Sequence, residues 1–288
     1  MGLFSSLLML RERALVVKRA CDRLRKMPSP ERRLAIEAAR AAGDLLKSEL
    51  AGDRRIAFKG TPTNLVTEMD ARAEALILGR LRAAFPADAI LAEETGSAAG
   101  GSGRRWIVDP LDGTTNYAHG IPLFAVSIAL EIAGRSQLGV VYDPMSEELY
   151  VAERGGGAFV NDRPLGVSTA STLNESLLAT GFPYNIRETS DNNLAEYGVF
   201  SLRAQGVRRM GSAVLYLAWL AAGRFDGYWE LRTGPWDVAA GSLFVEEAGG
   251  RVTSVDGAAL NLDAPSILAT NGRIHDEMLA VLNEVRAR

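Results

Sequence analysis

The stretch Trp106-Ile107-Val108-Asp109-Pro110-Leu111-Asp112-Gly113-Thr114-Thr115-Asn116-Tyr117 constrains this chain more than any other. Its apolar opening, aromatic and β-branched, predicts a buried strand. Asp109 and Asp112 follow on either side of Pro110, which cannot donate to a sheet ladder. The strand is therefore expected to stop where the acids begin, at the edge of a sheet. Gly113 allows a sharp turn, and Thr114, Thr115 and Asn116 offer side-chain oxygens to cap a following helix. Strand end, acids, glycine turn and helix start suit a divalent cation on the carboxylates and a phosphate on free backbone N–H groups. The plain alternative is an Asp turn with a threonine cap. Two acids this close repel unless a cation lies between them, which favours the first reading.

Composition narrows the kind of ion. Cys21 is the only cysteine in 288 residues, and His119 and His275 are the only histidines. Zinc sites of His and Cys are nearly excluded, which leaves a hard ion held by oxygen. A lone cysteine forms no intramolecular disulfide and suits a reducing compartment, the cytoplasm. The net charge of −3 argues against a nucleic-acid-binding surface spread over the whole molecule, and no sequence-specific nucleic-acid partner is expected. No apolar run reaches the length of a membrane span.

Residues 1–26 stand apart. Seven Lys or Arg face only Glu12 and Asp22, a balance of +5 that leaves −8 for the rest of the −3 total. With Leu3, Phe4, Leu7, Leu8, Leu10, Leu15 and Val16 they either form a basic amphipathic helix suited to a membrane surface or are an extension ahead of a start at Met27. The domain expectation is this extension (1–28), an α+β half carrying the main motif (29–165) and an α/β half (166–288).

Ser29-Pro30-Glu31 starts a helix that runs to about residue 50. Residues 54–66 read as extended or hairpin, and a second helix from Thr67 buries Ala71, Leu76, Ile77, Leu81 and Phe85, stopped by Pro86. Ala89–Ala92 is a short strand, and the Gly- and Ser-rich residues 95–105 read as a mobile loop. Strands near 122–131, 137–142 and 148–153 form an antiparallel sheet flanked by the first two helices. Beyond residue 166 the expected elements are strands at 177–180, 225–230, 251–254 and 266–269, and helices at 194–204, 213–222, 236–248 and 274–286. This alternation suggests a second α/β unit.

Further acids fall at element ends. Glu93 and Glu94 follow a short apolar strand, as Asp109 does. Asp237 opens a helix behind Gly234-Pro235-Trp236, and Asp70 follows Thr67 at another helix start. Each alone reads as a helix-start Asp favourable with the dipole. Together they suit ions shared by carboxylates and in-line attack of water on a phosphate ester, with no His or Cys nucleophile.

The Asp109–Tyr117 segment, Trp236-Asp237-Val238-Ala239-Ala240-Gly241 and the upstream Glu93-Glu94 resemble the inositol monophosphatase family of Mg²⁺-dependent, lithium-sensitive phosphatases. The resemblance covers about residues 30–288 and implies a layered α-β-α-β-α sandwich and a homodimer. It implies that Glu93, Asp109 and the Leu111 carbonyl hold one Mg²⁺, that Asp109, Asp112 and Asp237 hold a second, and that Glu93 reaches a third. Thr114, hydrogen-bonded to Asp70, would orient and help deprotonate the water. The Gly113 and Thr114 amides would cradle the phosphate. Gly211, Ser212 and Ala213 would line the substrate, although they read equally as a helix cap. Glu230 would bind substrate hydroxyls, and Lys59 and Glu94 would support the ligands. Asn64 stands where some relatives have Asp, and Tyr117 where Phe is usual.

Thr115-Asn116-Tyr117 resembles the inositol phosphatase version of the motif. The implied substrate is inositol 1-phosphate or a related polyol phosphate. Alternatives are fructose 1,6-bisphosphatase activity, with Arg203, Arg208, Arg209 or Arg232 receiving a second phosphate, or nucleotide 3′-phosphatase activity. An interaction role with the transcription machinery is the alternative from another class. Membrane contact is expected only through residues 1–26.

Overall fold

The computed structural model describes residues 29–52, 56–58, 65–264 and 266–287. The expected helix in residues 1–26, Lys59 and Asn64 lie outside the described residues. Helix α1 (Pro30–Glu49) begins where Ser29 Oγ accepts the Arg32 N–H at 3.1 Å, with Pro30 at its first position. Its buried face is built of Ala35, Ala38, Ala39, Ala42 and Leu46, small enough for the backbone to approach the sheet. Gly43 completes this face, because a Cβ there would collide with the Tyr142 ring. Strands β1 (Ile56–Phe58) and β2 (Leu65–Thr67) pair antiparallel.

Helix α2 (Glu68–Ala84) opens with Thr67 Oγ1 accepting the Met69 N–H and Asp70 accepting the Thr67 N–H. Its buried stripe differs from the expected one. Met69, Asp70, Ala73, Glu74, Ile77, Leu78 and Leu81 face inward, while Ala71 is exposed and Leu76 and Phe85 are half-buried. Two carboxylates occupy inward positions because each meets hydrogen-bond donors there.

The main sheet comprises β3 (Ala89–Ala92), β4 (Gly96–Ala98), β5 (Arg104–Asp112), β6 (Ala125–Ile132), β7 (Arg135–Asp143), β8 (Glu148–Glu153), β9 (Gly157–Val160) and β10 (Arg163–Pro164). Its order is β10-β9-β8-β7-β6-β5-β3-β4, antiparallel except for β3 beside β5. Residues 95–105 are not the expected mobile loop. They carry β4, paired with β3, and the Gly101 and Ser102 N–H groups both donate to the Ala87 carbonyl. Nor does β5 stop before its acids. It runs through Asp109, Pro110 and Asp112 in the interior of the sheet, with a bulge between Asp109 and Asp112 that accommodates the proline.

Helix α3 (Thr114–Ala118) follows directly. The second sheet has order β12-β11-β13-β15-β14, from β11 (Leu177–Thr180), β12 (Gly206–Arg208), β13 (Gly227–Glu230), β14 (Arg251–Thr253) and β15 (Ile267–Thr270). Helices α4 (Leu194–Arg203), α5 (Ala213–Ala221), α6 (Pro235–Glu247) and α7 (His275–Arg286) complete the fold. Alternation along the strands produces the layering. On β5, Trp106 and Val108 face α1 and α2, whereas Ile107 faces α5 and α6. On β13, Tyr228 faces α5 and α6, whereas Trp229 joins Phe200 of α4 and Met278 of α7. The result is an α+β, α-β-α-β-α sandwich whose middle helices are buried on every side over Val214–Ala218 and Val238–Val245, as helices between two sheets are.

Candidate active site

The register of the main sheet assembles the first acids. β3 lies parallel to β5 with Ala92 opposite Val108, so Glu93, whose N–H donates to the Val108 carbonyl, sits beside Asp109. Asp109 Oδ1 accepts the Leu111 N–H at 2.9 Å, folding the carboxylate around Pro110. One residue past the bulge, Asp112 Oδ2 accepts Ser212 Oγ–H at 2.5 Å and the Val214 N–H at 2.8 Å, both at the start of α5. Asp237 arrives from the first turn of α6, where its Oδ2 accepts the Gly234 N–H at 2.5 Å. Carboxylate oxygens of Asp109, Asp112 and Asp237 lie within 4.8 Å of one another.

Such proximity is electrostatically costly. Burial, then the charges of Glu93, Asp112 and Asp237, push the Asp109 carboxyl well above its ordinary value. Burial likewise raises Asp112 to about 6 against the pull of its Ser212 and Val214 hydrogen bonds. Asp237 is pushed well up by burial and by Asp112 and Glu93. The cluster contains hard oxygen donors and no His or Cys, a donor set that fits a divalent cation of the Mg²⁺ or Ca²⁺ kind.

Gly113 turns the chain out of β5 in the left-handed region, at φ 99°, with a would-be Cβ only 3.0 Å from the Leu123 carbonyl oxygen. It caps α3 itself, without the side-chain cap expected from Thr114, Thr115 or Asn116. The Thr114 and Asn116 side chains are engaged elsewhere. Thr114 Oγ1 is 2.9 Å from Asp70 Oδ1 and 3.0 Å from the Leu111 carbonyl oxygen. Asn116 donates to the Met210 and Leu123 carbonyls at 2.7 and 2.9 Å.

These residues line a cleft of ≈ 860 Å³ together with Glu93, Gly211, Ser212, Ala213, Glu230 and Trp236. Glu230, at the end of β13, accepts the Tyr228 hydroxyl at 2.6 Å, and burial pushes it up to about 7. It fits because Gly181 opposite has no side chain; a Cβ there would collide with the Glu230 carboxylate. Arg209 and Arg232 also reach the cleft, Arg209 stacked 5.3 Å from the Phe182 ring centroid and Arg232 paired with Asp191 at 3.3 Å. Arg203 pairs with Glu284, and neither it nor Arg208 lines the cleft.

Glu94 stands off the cleft lining, and its backbone N–H donates to Glu74. Glu74 escaped the sequence reading. Its two buried oxygens accept the Glu94 and Thr95 N–H groups at 2.9 and 3.0 Å and hold the turn that carries Glu93. The available signal was its spacing of four from Asp70 on one helix face. Tyr184 and Tyr216 also line the cleft, and no sequence pattern marked them.

A family model described as the inositol monophosphatase family matches residues 27–287. An inositol-1-monophosphatase of Synechocystis sp. is 46% identical over 250 residues, covering 86% of this chain and 87% of its own. The Nus factor SuhB of Escherichia coli strain K12 is 41% identical over 257 residues, covering 88% and 96%. The solved structure of inositol monophosphatase from Anabaena (Nostoc) sp. PCC 7120 superposes with a TM-score of 0.80 at 48% identity, over 87% of this chain and 94% of that one. Family model, identity and superposition agree: the chain belongs to the inositol monophosphatase family.

Proposed function

We propose that the chain is a Mg²⁺-dependent phosphomonoesterase acting on inositol 1-phosphate or a related polyol or sugar phosphate. The observation that carries this reading is the meeting of Asp109, Asp112 and Asp237 within 4.8 Å in a cleft that Glu230 also lines. Glu93, Asp109 and the Leu111 carbonyl would hold one ion, Asp109, Asp112 and Asp237 a second, and Glu93 a third. Bound ions supply charge neutralisation on the phosphate oxygens and a water of lowered pKa.

The chain's own groups do the positioning. Thr114 directs its hydroxyl proton at Asp70 Oδ1, which leaves its lone pairs to accept a hydrogen from the attacking water. The Gly113 and Thr114 amides receive the phosphate, and Ser212 holds Asp112 in place. Glu230 accepts a polyol hydroxyl, and Gly211 and Ala213 shape the wall beside it. Glu94 belongs to the turn beside Glu93, its N–H held by Glu74, and Lys59 lies outside the described residues. The same reading includes a homodimer, lithium sensitivity and a cytoplasmic setting. Identity to a Nus factor motivates a second reading, an interaction role with the transcription machinery.

The test is phosphate release from inositol 1-phosphate, fructose 1,6-bisphosphate and 3′-phosphoadenosine 5′-phosphate with Mg²⁺, with EDTA, and with Mg²⁺ plus lithium. Mg²⁺-dependent, lithium-blocked release favouring the inositol ester is expected. Preference for another ester reassigns the substrate, and no release from any, with Mg²⁺ shown to bind, moves the function to an untested phosphate ester or to the interaction role.

A further inference from the structure

Tyr216 sits on α5 with 1% of its surface exposed, its ring centroid 6.1 Å from that of Phe225 and 5.5 Å from that of Tyr228. It lines the cleft. Its hydroxyl oxygen accepts the Gly211 N–H at 2.7 Å and also the Met210 N–H. A phenol offers two lone pairs and one proton. Both lone pairs are committed to backbone, so the proton is the only hydrogen-bonding capacity left. No acceptor for it lies among the described residues. A buried donor with no partner is unfavourable and calls for a physical reason.

The surroundings supply one. Glu230 and Asp112 are the carboxylates whose charges act on this hydroxyl, Glu230 more strongly. Burial pushes the phenol up to about 12, so the proton stays in place at neutral pH. Accepting two hydrogen bonds also polarises the O–H into a stronger donor. A phosphate oxygen in this gap would face two carboxylates. A neutral hydroxyl meets no such conflict, because it can accept from Tyr216 and donate to Glu230 at once.

We infer that Tyr216 is a substrate-contacting residue, donating its O–H to a polyol hydroxyl next to the phosphoester, in the gap between Asp112 and Glu230. This rests on the phosphatase reading above. It defines the preferred substrate class as phosphate monoesters with a hydroxyl on the neighbouring carbon. The backbone bonds to Met210 and Gly211 hold the phenol in place for that contact.

Tyr216→Phe keeps the ring and removes the donor. The ratio of kcat/KM for inositol 1-phosphate over p-nitrophenyl phosphate, which has no alcohol hydroxyl, should fall about tenfold in this variant. Equal losses on both esters mean that Tyr216 only braces the turn at Met210 and Gly211, and overturn the inference. So does an unchanged ratio. Deoxy analogues of inositol 1-phosphate, lacking one or the other hydroxyl beside the ester, give a second arm that uses the unaltered chain. One of them should lose about tenfold in kcat/KM with wild type and show little further loss with Tyr216→Phe. Full wild-type activity on both analogues, or losses that simply add, overturn the inference. Wild type that releases phosphate from neither ester refutes the phosphatase reading itself, before any variant is made, and this inference falls with it.

Discussion

Thr114 and Asp70 are joined by a 2.9 Å hydrogen bond between two buried side chains, from the first turn of α3 to the first turn of α2. The other Asp70 oxygen is held by the Thr67 N–H at 2.8 Å and the Thr67 hydroxyl at 2.6 Å, so the carboxylate cannot turn away. Asp70→Asn keeps the shape and removes the charge that orients the Thr114 proton. We expect kcat to drop by about 10² to 10³. Mg²⁺ affinity, read by calorimetry, should change less than about threefold, because Asp70 is outside the acid cluster. A loss located mainly in Mg²⁺ affinity would instead make Asp70 part of the metal site.

The acid cluster predicts a stability profile that depends on ions. Asp112 rises from an ordinary 3.8 to about 6, and Asp109 and Asp237 also rise. Between those values the folded chain binds protons that the unfolded chain has released. Stability from these groups is therefore present at low pH and lost as pH rises through about 6. In EDTA, Asp112→Asn should lose less stability than wild type between about pH 5 and about pH 7.5. Mg²⁺ should raise the wild-type Tm more at the upper end of that range, where protons no longer compete. A rescue that is equal at both ends would place the Mg²⁺ elsewhere.

Much of this site was legible because its acids stand at element ends. Asp109 and Asp112 lie in the last four residues of β5, behind an unmistakable apolar run, and Glu93 comes beside them through the parallel pairing of β3 and β5. The continuation of β5 through Pro110 was not legible, since a bulge depends on the partner strand and leaves no periodicity of its own. Gly96-Ser97-Ala98 has little strand propensity and is extended only because β3 offers it a ladder. The α2 stripe was misread for a related reason. Hydrophobic periodicity assigns acids to solvent, and Asp70 and Glu74 are inside because backbone and hydroxyl donors await them.

Glu74 carries a prediction of its own. Removing its carboxylate by Glu74→Ala leaves the Glu94 and Thr95 N–H groups unpaired and frees the turn that aims Glu93 at Asp109. Mg²⁺ affinity should fall by about tenfold or more, as for other groups that hold a metal ligand in place. At saturating Mg²⁺, kcat should return to within about threefold of wild type, since Glu74 touches no substrate. Affinity unchanged in a Mg²⁺ titration would show that β3 alone positions Glu93.

His275, far along the chain from the acids, predicts a pH response of the opposite sign. Its Nε2 lies 3.0 Å from Thr253 Oγ1 and its Nδ1 3.0 Å from Thr270 Oγ1, with no surface exposed. Thr253 donates to the Ser254 carbonyl, so it accepts from Nε2–H, while Thr270 accepts the Gly272 N–H and donates to Nδ1. A second ring proton would have to displace the Thr270 donation. Burial, and then the Arg251 charge, lowers His275 from 6.5 to about 4. The unfolded chain therefore binds the extra proton first, so this stability is present above about 6.5 and lost as pH falls toward about 4. Thermal unfolding of His275→Gln should show a smaller drop in Tm than wild type between about pH 6.5 and about pH 4.5. Since every other group is common to both proteins, the difference between the two profiles isolates this residue. Parallel profiles would assign the acid sensitivity of the second sheet to other groups.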